Sequence, residues 1–179
     1  MRIMMAVAAM FSMALPASTD GASAAGRPNP PTIDQSGARR SFQQVLDGQV
    51  TVLHFMYPTC PSFCPVSGEM LSRTQDLLMK ARPNKAYRIV SVSILPRETT
   101  PARLTGWLQK HRAKPGWVAL YVGPGDIGGL MRYYGETAID VQLHSSQVLV
   151  LNSHGQLVKR FDDLPHPSQL AAAVRFAAR

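Results

Sequence analysis

Apolar runs separated by polar, turn-forming segments predict a regular alternation of strands and helices along most of the chain. Gln49–Met56, Tyr87–Ile94 and Trp117–Val122 are rich in β-forming residues and apolar on both faces, as is typical of strands buried inside a sheet. The intervening segments predict helices from Pro61 to about Lys80, from Pro101 to about His111, and from about Asp126 to about Tyr134. In the first of these helices, the expected inner face comprises Met70, Leu71, Leu77 and Leu78.

The two ends of this pattern complete a recognisable architecture. Ile33–Gly37 predicts a short strand and turn, and Ser41 is suited to cap a short helix that ends at Leu46. Near the other end, Val148–Asn152 and Leu157–Phe161 predict a β-hairpin, and a final helix begins at Pro167. The order β-α-β-α-β-α-β-β-α predicts an α/β fold, a thioredoxin-like three-layer α/β/α sandwich with a terminal β-hairpin and helix.

The N-terminal segment differs in composition from the rest of the chain. Met1-Arg2 is followed by the nearly uncharged run Ile3–Ala17 and by the small residues Ala22-Ser23-Ala24. This pattern predicts a secretory signal peptide over residues 1–24. An uncleaved membrane anchor is the alternative, although the run is shorter than the ~20 residues of a typical span. We expect export to the periplasm or another extracytoplasmic compartment.

Length and charge narrow the classes of function. The chain has 179 residues, which suits a proline-rich linker at 25–31 and one domain at 32–179. Its net charge is +8, which could draw it weakly to an anionic membrane surface or to an acidic partner. The basic residues are scattered and not interleaved with aromatic residues, so we expect no nucleic-acid binding. We expect a monomer.

The chain contains two cysteines, Cys60 and Cys64, at the predicted junction between a strand and a helix. Residues four apart share one face of a helix, and the positive end of the helix dipole favours a thiolate. A thiolate can bind a soft metal ion or attack a disulfide. A disulfide across so short a loop would add little stability, so a purely structural bridge is disfavoured.

Two thiolates leave a Cu(I) ion two-coordinate, and an imidazole is the natural third ligand. Four of the five histidines have ordinary expected roles in packing or at the surface: His54, His111, His154 and His166. Among them, His111 ends a helix, where the dipole favours a cation. His144 differs because it precedes the terminal hairpin, a segment that passes beside the cysteine loop in a thioredoxin-type sheet.

The stretch Val52–Pro65, which contains Tyr57-Pro58-Thr59-Cys60-Pro61-Ser62-Phe63-Cys64-Pro65, resembles the F-x-Y-T-x-C-P-x-x-C-P signature of the SCO/SenC family. These proteins are thioredoxin-fold, copper-binding assembly factors for cytochrome c oxidase. Further similar segments are Asp34–Gly37, Trp117–Tyr121, Tyr134-Gly135 and Leu143–Asn152. The resemblance therefore covers the whole predicted domain.

The resemblance implies that Cys60, Cys64 and His144 bind copper, as Cu(I) or Cu(II). It also implies a partner, either a copper-accepting oxidase subunit or another copper chaperone. Three positions depart from the family pattern: Leu95, Thr99 and Leu143 stand where the family has aspartates. An acidic group thought to assist metal or partner exchange is therefore missing.

Two functional hypotheses remain open from the sequence. The first is a copper metallochaperone of the cell envelope, which would not be an enzyme. The second is a thiol–disulfide oxidoreductase that uses Cys60 and Cys64 to reduce the copper-site cysteines of a partner. The three residues between the cysteines count against the second, since thioredoxin-type catalysts have two. A copper or redox sensor would use the same site.

Overall fold

The computed structural model describes residues 26–59, 64–81, 86–136 and 146–179. Its strands are β1 (Pro31–Asp34), β2 (Arg39–Ser41), β3 (Val50–Met56), β4 (Tyr87–Ser93), β5 (Trp117–Val122), β6 (Val148–Leu151) and β7 (Leu157–Phe161). Its helices are α1 (Phe42–Leu46), α2 (Cys64–Ala81), α3 (Pro101–Lys110), α4 (Ile127–Tyr133) and α5 (Pro167–Ala177), with a 3₁₀ turn at Pro96–Glu98. None of the helices in these ranges is long and apolar enough to cross a bilayer.

The strands form one mixed sheet in the order β2-β1-β5-β4-β3-β6-β7. The central pairs β3–β4 and β4–β5 are parallel, whereas β1–β2, β1–β5, β3–β6 and β6–β7 are antiparallel. Parallel neighbours require crossover connections, and α2 and α3 supply them here. The predicted thioredoxin-like α/β fold is confirmed.

Strand β3 shows that helices cover both faces of the sheet. All seven of its residues are buried. Val50 and Val52 pack with residues of α2 and α5, whereas Leu53 and Phe55 pack with residues of α1 and α4. Because side chains alternate between the faces of a strand, a continuous apolar run is what a strand needs when helices lie on both sides.

The expected elements agree with the observed ones except at a few points. Ser41 caps α1 as predicted, and its hydroxyl accepts from the Gln44 backbone N–H in a capping box. Strand β2 and the 3₁₀ turn were not predicted. Leu77 does not belong to the inner face of α2, since it is 37% exposed.

The two ends of the sheet are distinct. At the cysteine end, β3 finishes at Met56 and the chain continues toward Cys64 and α2. At the hairpin end, β3 begins at Val50 and the turn between β6 and β7 lies beside it, because Leu151 pairs with Thr51. The length of β3 separates the two ends by roughly 20 Å.

Candidate metal centre

Cys64 is the one predicted metal ligand that lies within the described residues. It is the first residue of α2 as described, and its side chain is fully buried. It packs in a cluster with Met56, Leu104, Trp107 and Ala119 at the cysteine end. The cluster brings together α2, the last residue of β3, α3 and β5, so Cys64 is held by elements that are far apart in sequence.

Cys60 and His144, the other two predicted ligands, lie outside the described residues. Within the described ranges, no three histidine, cysteine or acidic side chains come close enough together to hold a metal ion. The described strands nevertheless fix where the chain resumes after His144. Val148 begins β6 and pairs with His54, near the end of β3 from which the chain leads to Cys64.

A column of aromatic rings supports the cluster around Cys64. Trp107 lies between two histidines: its ring centroid is 6.3 Å from that of His54 and 4.1 Å from that of His111. His111 in turn lies 6.5 Å from Trp117, whose indole N–H donates to the Ser91 hydroxyl at 3.0 Å. The column fixes α3 against the sheet. Sequence analysis did not single out Trp107, because its role depends on contacts that no local pattern reports.

The environment of His111 contradicts the expectation of a cation at the end of α3. His111 is 4% exposed, and its Nε2 has no hydrogen-bond partner among the described residues. Burial is the main cause that lowers its pKa below 6.5, with Lys110 adding to the effect and Glu69 opposing it. Burial therefore favours the neutral imidazole. The helix dipole is outweighed because an apolar setting penalises the charged form.

The close approach of α2 and α3 depends on a glycine. A Cβ atom at Gly68 would lie 2.3 Å from the Cε1 atom of His111. The His111 ring cannot easily move aside, since it is packed between Trp107 and Trp117. Gly68 thus allows the helix that carries Cys64 to sit directly against the aromatic column.

The remaining histidines have the packing and surface roles predicted for them. His54 is buried within β3. His154 lies in the hairpin turn, and His166 caps α5 through its Nδ1, which accepts from the Ser168 backbone N–H. Within the described ranges, none of these three histidines, nor His111, lies in a cluster of potential metal ligands.

The loop that lacks the aspartates of the family pattern satisfies its own polar groups. The Thr99 hydroxyl donates to the Leu95 carbonyl at 2.7 Å. The Ser93 hydroxyl lies 2.6 Å from the Thr99 hydroxyl. Leu95 is partly buried against the core. A carboxylate remains in the loop at Glu98, which accepts from the Tyr57 hydroxyl at 3.2 Å. This contact lies at the cysteine end, because Tyr57 directly follows β3.

A family model described as SCO1/SenC matches residues 31–179, which is most of the chain. The chain belongs to the SCO1/SenC family. This membership agrees with the resemblance carried by the cysteine motif. No curated protein sequence gives a significant match.

Several solved structures share the SCO1/SenC fold with this chain. Arabidopsis thaliana ScoI with copper bound is 20% identical, with a TM-score of 0.69, and the match covers 85% of this chain and 98% of that one. Bradyrhizobium japonicum ScoI with copper bound is 22% identical, with a TM-score of 0.67 and coverage of 83% and 97%. BsSco, described as a cytochrome c oxidase assembly protein with a disulfide switch, is 19% identical, with a TM-score of 0.71 and coverage of 84% and 94%.

Proposed function

We propose that this protein handles copper in the cell envelope during cytochrome c oxidase assembly, and that copper is its cargo. Cys60, Cys64 and His144 hold one copper ion and release it to a copper site on an oxidase subunit. The observation that carries the proposal is the family match over residues 31–179 together with the cysteine pair in the sequence, of which Cys64 begins α2. Export of the chain through residues 1–24 is part of the proposal.

The chemistry of the ligand set supports copper. Thiolates are soft ligands that suit Cu(I), and imidazole suits copper in either common oxidation state. The buried, apolar cluster around Cys64 keeps water from one side of the site. Chain length supports the third ligand, since the four residues from His144 to Val148 span at most about 14 Å. Val148 itself lies near the cysteine end.

Copper titration of the reduced, exported protein tests the ligand set. We expect one copper ion per chain, loss of tight binding in Cys60→Ser and Cys64→Ser, and weaker binding in His144→Ala. Removal of His144 should cost at least the roughly tenfold in affinity that loss of an outer-shell partner costs. His154→Ala is the matched control, because this histidine is exposed in the turn at the hairpin end. Wild-type affinity in His144→Ala or Cys60→Ser would contradict the proposal.

A second candidate function is thiol–disulfide exchange, which the disulfide switch described for BsSco favours. One thiolate of the pair attacks a partner disulfide and forms a mixed disulfide, releasing one partner thiolate that takes up a proton. The second cysteine then attacks the mixed disulfide. The partner leaves as a dithiol, and Cys60 and Cys64 are oxidised to a disulfide.

A single-cycle reduction assay separates the two functions. The reduced protein is mixed with an equal amount of the oxidised soluble copper-site domain of the oxidase, and the thiols that appear on that domain are measured. A reductase keeps its rate in His144→Ala and loses it in either cysteine variant. A copper carrier does not reduce the domain and depends on His144 for metal affinity.

A further inference from the structure

The surface formed by β7 and α5 at the hairpin end exposes large apolar side chains. Val158 is 37% exposed and Phe176 63%. Both line a shallow cavity of about 460 Å³ between the strand and the helix. We call Val158 and Phe176 the β7–α5 patch. Apolar surface of this kind in water is unfavourable unless something covers it.

Cations lie along the same strand and helix. Lys159 belongs to β7 and Arg175 to α5, and Arg179 follows the end of α5. Residues 146–179 contain two acidic residues, Asp162 and Asp163, and these follow β7 at the end away from Leu157. Between described residues, neither Lys159 nor Arg175 forms a salt bridge. The patch therefore combines apolar side chains with a local excess of positive charge.

Two cations lie directly against aromatic rings of this surface. The Lys159 Nζ is 5.4 Å from the centroid of Phe161, and the Arg179 guanidinium carbon is 5.7 Å from that of Phe176. Of these two rings, Phe176 is exposed and Phe161 is half-buried. Aromatic side chains beside lysine and arginine are typical of surfaces that lie in the headgroup region of a membrane.

The start of the domain lies at the same end of the sheet. Arg27 donates to the His154 carbonyl oxygen in the hairpin turn at 2.7 Å. The residues before Gly26 include the apolar run Ile3–Ala17. If this run stays in the membrane after export, it tethers the domain by the hairpin end and brings that end close to the bilayer.

We propose that the β7–α5 patch docks the domain onto anionic lipid headgroups. Phe176 and Val158 enter the interface, while Lys159, Arg175 and Arg179 attract the headgroups. A second copy of the chain fits this surface poorly, because the two copies would bring their cations together. In this orientation the cysteine end lies roughly 20 Å farther from the lipid and faces the aqueous phase, where a partner can reach it.

Vesicle cosedimentation of the exported protein tests the proposal. The probes are phosphatidylcholine vesicles and the same vesicles with roughly one third phosphatidylglycerol. We expect binding to the anionic vesicles alone, and weaker binding as salt rises. Phe176→Ser and Lys159→Glu should each reduce the partition coefficient, the charge reversal by at least about fivefold, since each cation near an anionic surface contributes about that factor.

Matched controls come from the cysteine end, which the proposal leaves in water. Val66→Ser removes a 58% exposed apolar side chain, and Arg97→Glu reverses an exposed charge. Both should bind anionic vesicles like the wild type, and a thermal melt of each variant checks that it is folded. Equal binding by the wild type and the patch variants, to both vesicle types or to neither, would overturn the proposal. A sedimentation coefficient that falls in Phe176→Ser without any lipid binding would assign the patch to self-association instead.

Discussion

The cysteine end and the hairpin end of the sheet use aromatic side chains in opposite ways. Trp107 is 2% exposed and packs against Cys64, whereas Phe176 is 63% exposed on α5. Burial makes Trp107 a large contributor to stability, while Phe176 gains little from folding. The two ends therefore differ in role. The packed core of the cysteine end holds the predicted ligand Cys64 in place, whereas the exposed surface of the hairpin end contributes only when something binds to it.

Among the changes that test this contrast, truncation of Trp107 should have the largest effect on the free energy of unfolding. Trp107→Ala removes a buried ring from between two histidines, and such a change costs about 3–5 kcal/mol in the free energy of unfolding. Phe176→Ala, the matched change at the hairpin end, should shift that free energy by less than about 0.5 kcal/mol. Urea denaturation of both variants measures the difference. Similar losses in the two variants would remove the distinction between the ends.

A methyl group added at Gly68 should have the next largest effect. Gly68→Ala places a Cβ against the His111 ring, and overpacking of this kind costs about 1–3 kcal/mol. The matched control is Gly106→Ala in α3, where nothing lies within 4 Å of the new atom. This control should be stabilised by roughly 0.5–1 kcal/mol, since alanine favours a helix over glycine.

A double variant sharpens the test at Gly68. In a His111→Ala background the ring is gone, so Gly68→Ala should lose most of its cost. Urea denaturation of the two single variants and the double variant gives the coupling energy. If Gly68→Ala costs the same with and without the His111 ring, the clash between them is not the cause.

The pH dependence of stability should show the smallest effect, through His111. Burial lowers the folded-state pKa of His111 below 6.5, so the unfolded chain takes up the proton first as pH falls. This contribution is fully present above pH 6.5 and is lost progressively below it, down to the folded-state pKa. We expect the wild type to lose more stability between pH 7.5 and about pH 5 than His111→Gln does.

The acidic groups with shifted pKa values act in a lower range. For Asp34, burial is the largest single cause and raises the pKa, but hydrogen bonds from Ser36, Ala38 and Arg40 together lower it below 3.8. For Glu69, the hydrogen bond from Arg73 is the main cause that lowers the pKa below 4.5. Their contributions to folding stability are lost only below those pH values, so they do not change stability in the pH range where His111 acts. Identical profiles for the wild type and His111→Gln would contradict the role of burial.

The fold could be predicted because its central strands carry their own signal. Strand β3 lies between two layers of helices, and this demands an apolar residue at every position. Strand β2 escaped prediction because Arg39-Arg40-Ser41 is an exposed edge with no apolar pattern. Pairing with β1, rather than local preference, makes it a strand.

Residues of the candidate site could be predicted only where a local sequence motif indicates their chemical role. Cys60 and Cys64 stand out by their type and spacing, whereas the support that Trp107 gives Cys64 arises from packing between distant segments. The packing role predicted for His111 is confirmed, but the cation expected there is wrong, because a position at a helix end reports the dipole and not the depth of burial. Phe176 drew no attention, since the apolar stripe of the last helix runs through Leu170 and Val174.

The environment of Cys64 is assembled from segments that the ribosome makes after it. Leu104, Trp107 and Ala119 follow the cysteine by 40 residues or more, and both neighbours of β3 also come later in the chain. A nascent chain therefore carries this thiol in contact with water until α3 and β5 have been added. During that interval the sulfur is more accessible than in the folded protein, and brief alkylation early in refolding should label Cys64 faster than alkylation of the native protein does.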